Sequence, residues 1–185
     1  MPTLFFTSDE HYDHKNVLLH QANRADLFAS LEEMQEGLIS RHNEVVKRKD
    51  IVYHLGDFAF KSPMPFVRQL NGKHILLRGN HDYWYKKAEL AANFTSIHDV
   101  LKVKWEGIVL WLSHYPHLSW PRDNHGVIHL HGHCHGGLKA PGKSLDVGVD
   151  ANDFRPLSLE EIIEKAAKLP LPLDRHGMRA LETIV

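Results

Sequence analysis

Five apolar runs in this sequence each stop at residues able to hold a metal ion. That recurrence constrains the fold more than any other feature. The clearest run is Ile51-Val52-Tyr53-His54-Leu55, which ends at Gly56-Asp57. A short run of β-branched and aromatic residues closed by glycine reads as a buried strand. The glycine permits a sharp turn and a close approach of backbone to ligand. Taken alone, the pattern reads as a strand followed by an Asp turn. It recurs, however, at Asp9-Glu10-His11 after residues 3–8 and at Gly79-Asn80-His81-Asp82 after 74–78. It recurs again at His114 after 108–113 and at Gly132-His133-Cys134-His135 after 127–131. Open α/β folds bind ligands at the carboxyl ends of their strands, so the economical reading brings these five ends to one metal-filled edge.

The donor types narrow the chemistry. Carboxylates Asp9 and Asp57, the amide of Asn80 and the imidazoles of His11, His114, His133 and His135 make a mixed oxygen and nitrogen set. Structural zinc sites usually draw on several thiolates, and Cys134 is the single cysteine. An oxygen/nitrogen set suits Mn²⁺, Fe, Zn²⁺ or Ni²⁺ in open coordination, with Mn²⁺ favoured. Seven ligands exceed what one ion takes. Two ions sharing a carboxylate would use them all, and Asp57 is the natural bridge. Two ions about 3.5–4 Å apart are the arrangement that displaces a phosphoryl group, one activating water and both holding phosphate oxygens. His81, beside Asn80, is positioned to protonate a leaving oxygen. Asp82 would orient His81 or cap the helix that follows.

The remaining pattern describes a layered α/β chain. Capping boxes at Ser30-Leu31-Glu32-Glu33 and Ser158-Leu159-Glu160-Glu161 predict helices over 31–48 and 159–167. The basic end Lys47-Arg48-Lys49 would face solvent at the first helix's terminus. Further helices are expected over 63–70 and 83–92, with 18–29 divided between helix and loop. Residues 96–105 and 108–113 read as the arms of one hairpin around Glu106-Gly107, and strands are expected over 127–131 and 144–149. The whole chain, 1–185, reads as one domain with a tail of undefined structure over 169–185.

Together, Asp9-x-His11, Gly56-Asp57, Gly79-Asn80-His81-Asp82, His114 and Gly132-His133-x-His135 resemble, in order, the five motifs of the calcineurin-like metallophosphoesterases. The resemblance spans residues 9–135. It implies a four-layer αββα sandwich with two central β-sheets and a dinuclear centre at the strand ends. It also implies a division of ligands. One ion would take Asp9, His11, Asp57 and His135, and the other Asp57, Asn80, His114 and His133. His81 corresponds to the residue that acts on the leaving group. The continuation Phe58-Ala59-Phe60-Lys61 lacks the Asp and Arg of the protein serine/threonine phosphatases, and no cap domain is inserted. The chain looks more like the small bacterial or phage-type phosphoesterases, which implies hydrolysis of phosphodiesters in preference to monoesters by a metal-bound hydroxide.

Other residues carry weaker signals. His14 could meet a substrate phosphate or be a surface histidine, and Arg78 could bind phosphate or be ion-paired beside a sheet edge. The loop 115–126 is a candidate substrate loop, with Asn124 and His125 as its contact residues. His54 and His131 alternate along strands and would either hold ligand imidazoles or simply pack. Of the 16 histidines, His20, His42, His74, His98 and His176 are assigned to packing or surface, while Tyr83, Trp84 and Tyr85 would either line the site entrance or simply pack. Cys134 is expected to point away from the ions.

Composition sets the outer bounds. A formal net charge of −1 with no basic block argues against a strong, sequence-independent grip on nucleic acid. A nuclease of this fold remains the first alternative and a non-catalytic binding module the second. The expected partner is a small phosphorylated substrate or nucleotide. One cysteine, no charged leader and no apolar stretch near the roughly 20 residues of a membrane span point to the cytoplasm. Oligomeric state leaves no trace in the sequence.

Overall fold

The computed structural model describes residues 1–171. In chain order its first half comprises β1 (Leu4–Thr7), α1 (Val17–His20), α2 (Ala22–Leu27), α3 (Leu31–Val45), β2 (Ile51–His54), α4 (Met64–Val67), β3 (Lys73–Leu77), α5 (Ala88–Ala91) and β4 (Ser96–His98). The second half comprises β5 (Val100–Trp105), β6 (Ile108–Ser113), β7 (Ile128–His131), β8 (Ser144–Asp146), β9 (Leu157–Ser158) and α6 (Leu159–Ala167). One sheet has the order β4-β3-β2-β1-β9, parallel except for β9. The other has the order β5-β6-β7-β8, parallel except for the β5–β6 hairpin.

The two sheets face each other across a core that the strands' alternation builds. Leu4 and Phe6, Tyr53 and Leu55, and Leu77 meet Leu110, Leu112, Ile128 and Leu130 between the sheets. The intervening residues of the first sheet, Phe5, Val52 and Leu76 with the polar Thr7, His54 and His74, are buried as well, because its other face is covered. Leu76 packs there beneath Met34 and Leu38 of α3 and Val67 of α4. Strands buried on both faces read as continuous apolar runs, which is why these were legible.

The layered α/β expectation holds, with one difference in the outer layer. The far face of the second sheet is covered by the loop 115–126. Trp111 Nε1–H donates to His117 Nδ1 at 3.1 Å, and Trp120 lies against the His129 ring. Helix α6, the last among the described residues, closes the sandwich edge beside β9 and β8, burying Leu159, Ile162 and Ala166 in the core between the sheets.

Two boundaries also differ. The helix expected to 48 ends at Val45, because Val46 turns extended and is fully buried against Phe5 and Val52. The basic run therefore lies in a turn, fixed by Asp50, whose carboxylate accepts from Lys47 N–H and Thr3 N–H. The expected strand 96–105 is two strands in different sheets, β4 and β5, broken at Asp99. Only β5 forms the hairpin with β6. The break is where the chain passes from one sheet to the other.

Three histidines form a cluster under α3. His42, His54 and His74 are buried, and His42 Nε2 lies 2.9 Å from the Asn71 carbonyl. Burial lowers each of them to about 3. Their folded pKa lies below the unfolded value of about 6.5, so the unfolded chain binds more protons as pH falls. The stability they permit is complete above about pH 6.5 and is lost as pH drops toward 3. The urea midpoint should therefore decline from about pH 6.5 to 4, and His42→Gln should make that decline shallower. A variant with the wild-type slope would show that His42 takes no part.

Candidate metal centre

The strand ends converge as the repeated pattern requires. The turn 9–12 runs alongside 56–58, with Asp9 N–H donating to Gly56 O and His11 N–H to Asp57 O, both at 3.0 Å. Across the sandwich, His133 N–H donates to both oxygens of Asp9, at 3.1 and 2.9 Å. Three groups of potential ligands result. They are Asp9 with His11 and His135, His11 with Asp57 and His81, and Asp57 with His114 and His133.

Asp57 sits at the junction. Its Oδ1 accepts the backbone N–H of His81 at 2.8 Å. Its Oδ2 lies 3.7 Å from His11 Nε2, 3.6 Å from His114 Nε2 and 3.9 Å from His81 Nε2. These separations are too long for hydrogen bonds. Donors that share one ion at roughly 2.0–2.2 Å each stand about 3–3.5 Å apart, close to what is seen.

Other details fit a cation. His11 Nε2 is buried without a hydrogen-bond partner. Burial pushes the Asp9 carboxyl well above its usual range, and nearby Asp57 and Asp146 add to the shift. His114 donates through Nδ1 to the Leu55 carbonyl at 2.7 Å, which leaves Nε2 as an acceptor. That nitrogen faces Asn80 Oδ1, a second acceptor, at 3.1 Å. A positive ion between them relieves the opposition. Burial lowers His11 to about 2, with Arg24, His135, His81 and His14 adding to the shift. His11 is thus held neutral, the form that ligates.

The backbone bears the cost of this convergence. Asp9, His11, Asp57, His133 and His135 all have positive φ, between 48° and 69°. Left-handed backbone costs a non-glycine residue roughly 1–2 kcal/mol. Gly56, at φ +97°, is held to glycine by space as well. A Cβ there would lie 2.6 Å from both Gly79 N and His114 Nδ1.

Several expectations need correction. Asp82 neither caps the following turn nor orients His81. It is fully buried, and its carboxylate accepts the N–H groups of Asp57 (2.8 Å), Phe58 (3.0 Å) and Gly79 (2.9 Å). Burial raises it to about 7, against those donors. Arg78 is ion-paired with Asp99 and lies over the Tyr85 ring at 4.4 Å, where it lines a hollow with Asn80 and Tyr115. Asn124 and His125 lie at the opposite edge. Their loop joins two parallel strands, so it leaves the site after His114 and reaches the amino end of β7. His125 lines a cleft there with Lys102 and Lys104. Tyr83 is exposed at the rim of the site, whereas Trp84 is buried and donates to Ala59 O.

His14 does reach the site, its ring 5.5 Å from His11 and 5.9 Å from His81. Neither His54 nor His131 holds a candidate ligand. His54 Nδ1 is 2.6 Å from Glu10 Oε1, and His131 Nδ1 is 3.0 Å from Gly132 O. Cys134 belongs to none of the three groups.

The largest omission from the sequence reading is a buried ion network. Arg24 is fully buried in α2. It binds Asp150 through Nε (2.7 Å) and Nη2 (2.5 Å), and the carbonyls of Asp9 (2.5 Å) and Glu10 (3.0 Å). Asp150 Oδ2 in turn lies 2.6 Å from His135 Nδ1, which turns His135 Nε2 toward the cluster. Burial would push the Asp150 carboxyl up, but Arg24 and His135 outweigh it and hold it below the usual range. A signal for Asp150 exists in Leu145-Asp146-Val147-Gly148-Val149-Asp150, a sixth run ending in glycine and acid. Arg24 lies in a stretch with no clear periodicity. Arg24→Gln leaves a buried carboxylate half-paired and frees two site carbonyls. It should lower stability by about 3–5 kcal/mol in urea unfolding; a loss under about 1 kcal/mol would contradict the role given to this network.

Known proteins extend the picture. The family profile described as calcineurin-like phosphoesterase matches residues 2–176. The uncharacterized protein MJ1445 of Methanocaldococcus jannaschii is 31% identical over 180 residues, covering 91% of this chain and 93% of its own. Among solved structures, the protein of unknown function AQ665 from Aquifex aeolicus is 26% identical. It superposes with a TM-score of 0.70 over 89% of this chain and 100% of its own. With family profile and site geometry in agreement, the chain belongs to the calcineurin-like phosphoesterases, metal-dependent hydrolases of phosphoric esters.

Proposed function

We propose that this protein is a two-metal phosphodiesterase that prefers diesters to monoesters. The observation that carries the reading is the position of Asp57 Oδ2 between the imidazole nitrogens of His11 and His114, with a further group of donors on either side. One ion would be held by Asp9, His11, Asp57 and His135, and the other by Asp57, Asn80, His114 and His133. Mn²⁺ is the favoured ion and the cytoplasm the favoured compartment, with residues 1–185 acting as one domain. When bound, the pair supplies an activated water and holds the phosphate oxygens.

The protein's own groups do the rest. The imidazole of His81 stays partly exposed, its Nε2 directed at Asp57, where it can donate a proton to a departing alkoxide. Asp82 pins the turns that carry Asp57 and Gly79. Preference for a diester follows from charge. A monoester dianion calls for a further cation such as a bidentate guanidinium. Arg24 is committed to Asp150 and backbone, and Arg78 to Asp99.

Metal-stripped protein should be inactive on bis-p-nitrophenyl phosphate and regain turnover on addition of Mn²⁺, with p-nitrophenyl phosphate the poorer substrate. Asp57→Ala should stay inactive under the same conditions. Metal-independent turnover, or a faster monoester, would overturn the assignment. His81→Ala should lose about a hundredfold or more on a diester with an alkyl leaving group. It should lose far less where p-nitrophenolate departs without a proton. Equal losses on both substrates would remove His81 as the acid.

A further inference from the structure

Phe60, Tyr83 and Tyr115 are the exposed aromatic side chains among the described residues, at 47%, 70% and 48% accessibility. All three stand at the rim of the metal centre, on two sides of it. Phe60 lies 5.4 Å from the His81 ring and 4.7 Å from the His14 ring. Tyr115 lies 4.9 Å from His114 and 4.7 Å from His133, and its hydroxyl donates to Asn80 Oδ1 at 3.3 Å. Tyr83 and Tyr115 share a hollow of about 360 Å³ that reaches Asn80 and Lys86.

Aromatic rings carry a large gain on burial, and the rest of the described aromatics are buried or partly covered. Leaving three open at a single rim, flanking one site, marks a surface that awaits a ligand. Its chemistry is that of flat π-systems, and nucleobases stack on such rings with little sequence preference. A monoester has one organic arm and would use one platform. The two platforms flank Asp57 and so match a phosphate with a planar group on each arm. The near-neutral chain suits a short substrate better than the tracking of a long polyanion.

We infer that the substrate is a phosphodiester joining two nucleosides, a dinucleotide or the end of a short single strand; this rests on the phosphodiesterase reading above. The base of the leaving nucleoside stacks on Phe60, beside His81. The base of the retained nucleoside lies against Tyr83 and Tyr115. Water's oxygen forms the new bond to phosphorus, the bond to the leaving nucleoside oxygen breaks, and that oxygen takes a proton. The products are a nucleoside and a nucleoside monophosphate.

The test compares kcat/KM for thymidylyl-thymidine with diesters in which either base is replaced by hydrogen. Wild type, Phe60→Ala and Tyr83→Ala are assayed in parallel. Wild type should lose about tenfold for each base removed. Phe60→Ala should no longer discriminate on the leaving arm, nor Tyr83→Ala on the retained arm. Equal rates with and without bases in wild type, or discrimination that survives on the leaving arm of Phe60→Ala and on the retained arm of Tyr83→Ala, would overturn the inference. Equilibrium binding of the dinucleoside phosphorothioate separates this from the catalytic reading. Base-dependent binding lost on the leaving arm in Phe60→Ala and on the retained arm in Tyr83→Ala upholds the inference even if no diester, bis-p-nitrophenyl phosphate included, is turned over. Binding indifferent to the bases refutes it.

Discussion

A buried carboxylate surrounded by imidazole nitrogens that it cannot hydrogen-bond organises this molecule. Asp57 is nearly inaccessible, and its Oδ2 faces three histidines at 3.6–3.9 Å. Buried in this way the arrangement is unfavourable without a cation, because one backbone N–H on Oδ1 leaves Oδ2 without a close partner. The surrounding structure is arranged to hold it there. Asp82 gathers the backbone of Asp57, Phe58 and Gly79, and Gly56 admits the approach of His114.

The same logic extends outward. Five of the seven candidate ligands occupy left-handed backbone. Strain of this kind persists only where the neighbourhood over-determines it. Here the neighbourhood is the network of Arg24 with Asp150, Asp9 and Glu10, joined through Glu10 to His54 and His74. Burial pushes the Glu10 carboxyl up to about 8. The inter-sheet core supplies the stability against which these local costs are set.

Much of the architecture was legible because its physics is local. Strands covered on both faces are continuous apolar runs, so residues 51–55 and 74–78 announced themselves. The seven donors were legible because each stands at the end of such a run, and the structure brings them within reach of one another. What was hidden depends on distant partners. Arg24 looks like any helical arginine until Asp150, 126 residues on, meets it. The role of Asp82 requires knowing that Asp57 and Gly79 are neighbours. Asn124 and His125 lie away from the donors because a connection between parallel strands crosses the length of the sheet, so one loop touches both of its ends. The strand over 96–105 hid a change of sheet because both of its halves are extended.

The central claim is that Asp57 joins two ions in one site, and electron paramagnetic resonance of the Mn²⁺-loaded protein tests it most directly. The account predicts two ions per chain whose spins are coupled, with the isolated six-line Mn²⁺ signal suppressed at full loading. One ion per chain at saturation, or two ions with uncoupled spectra, would contradict it.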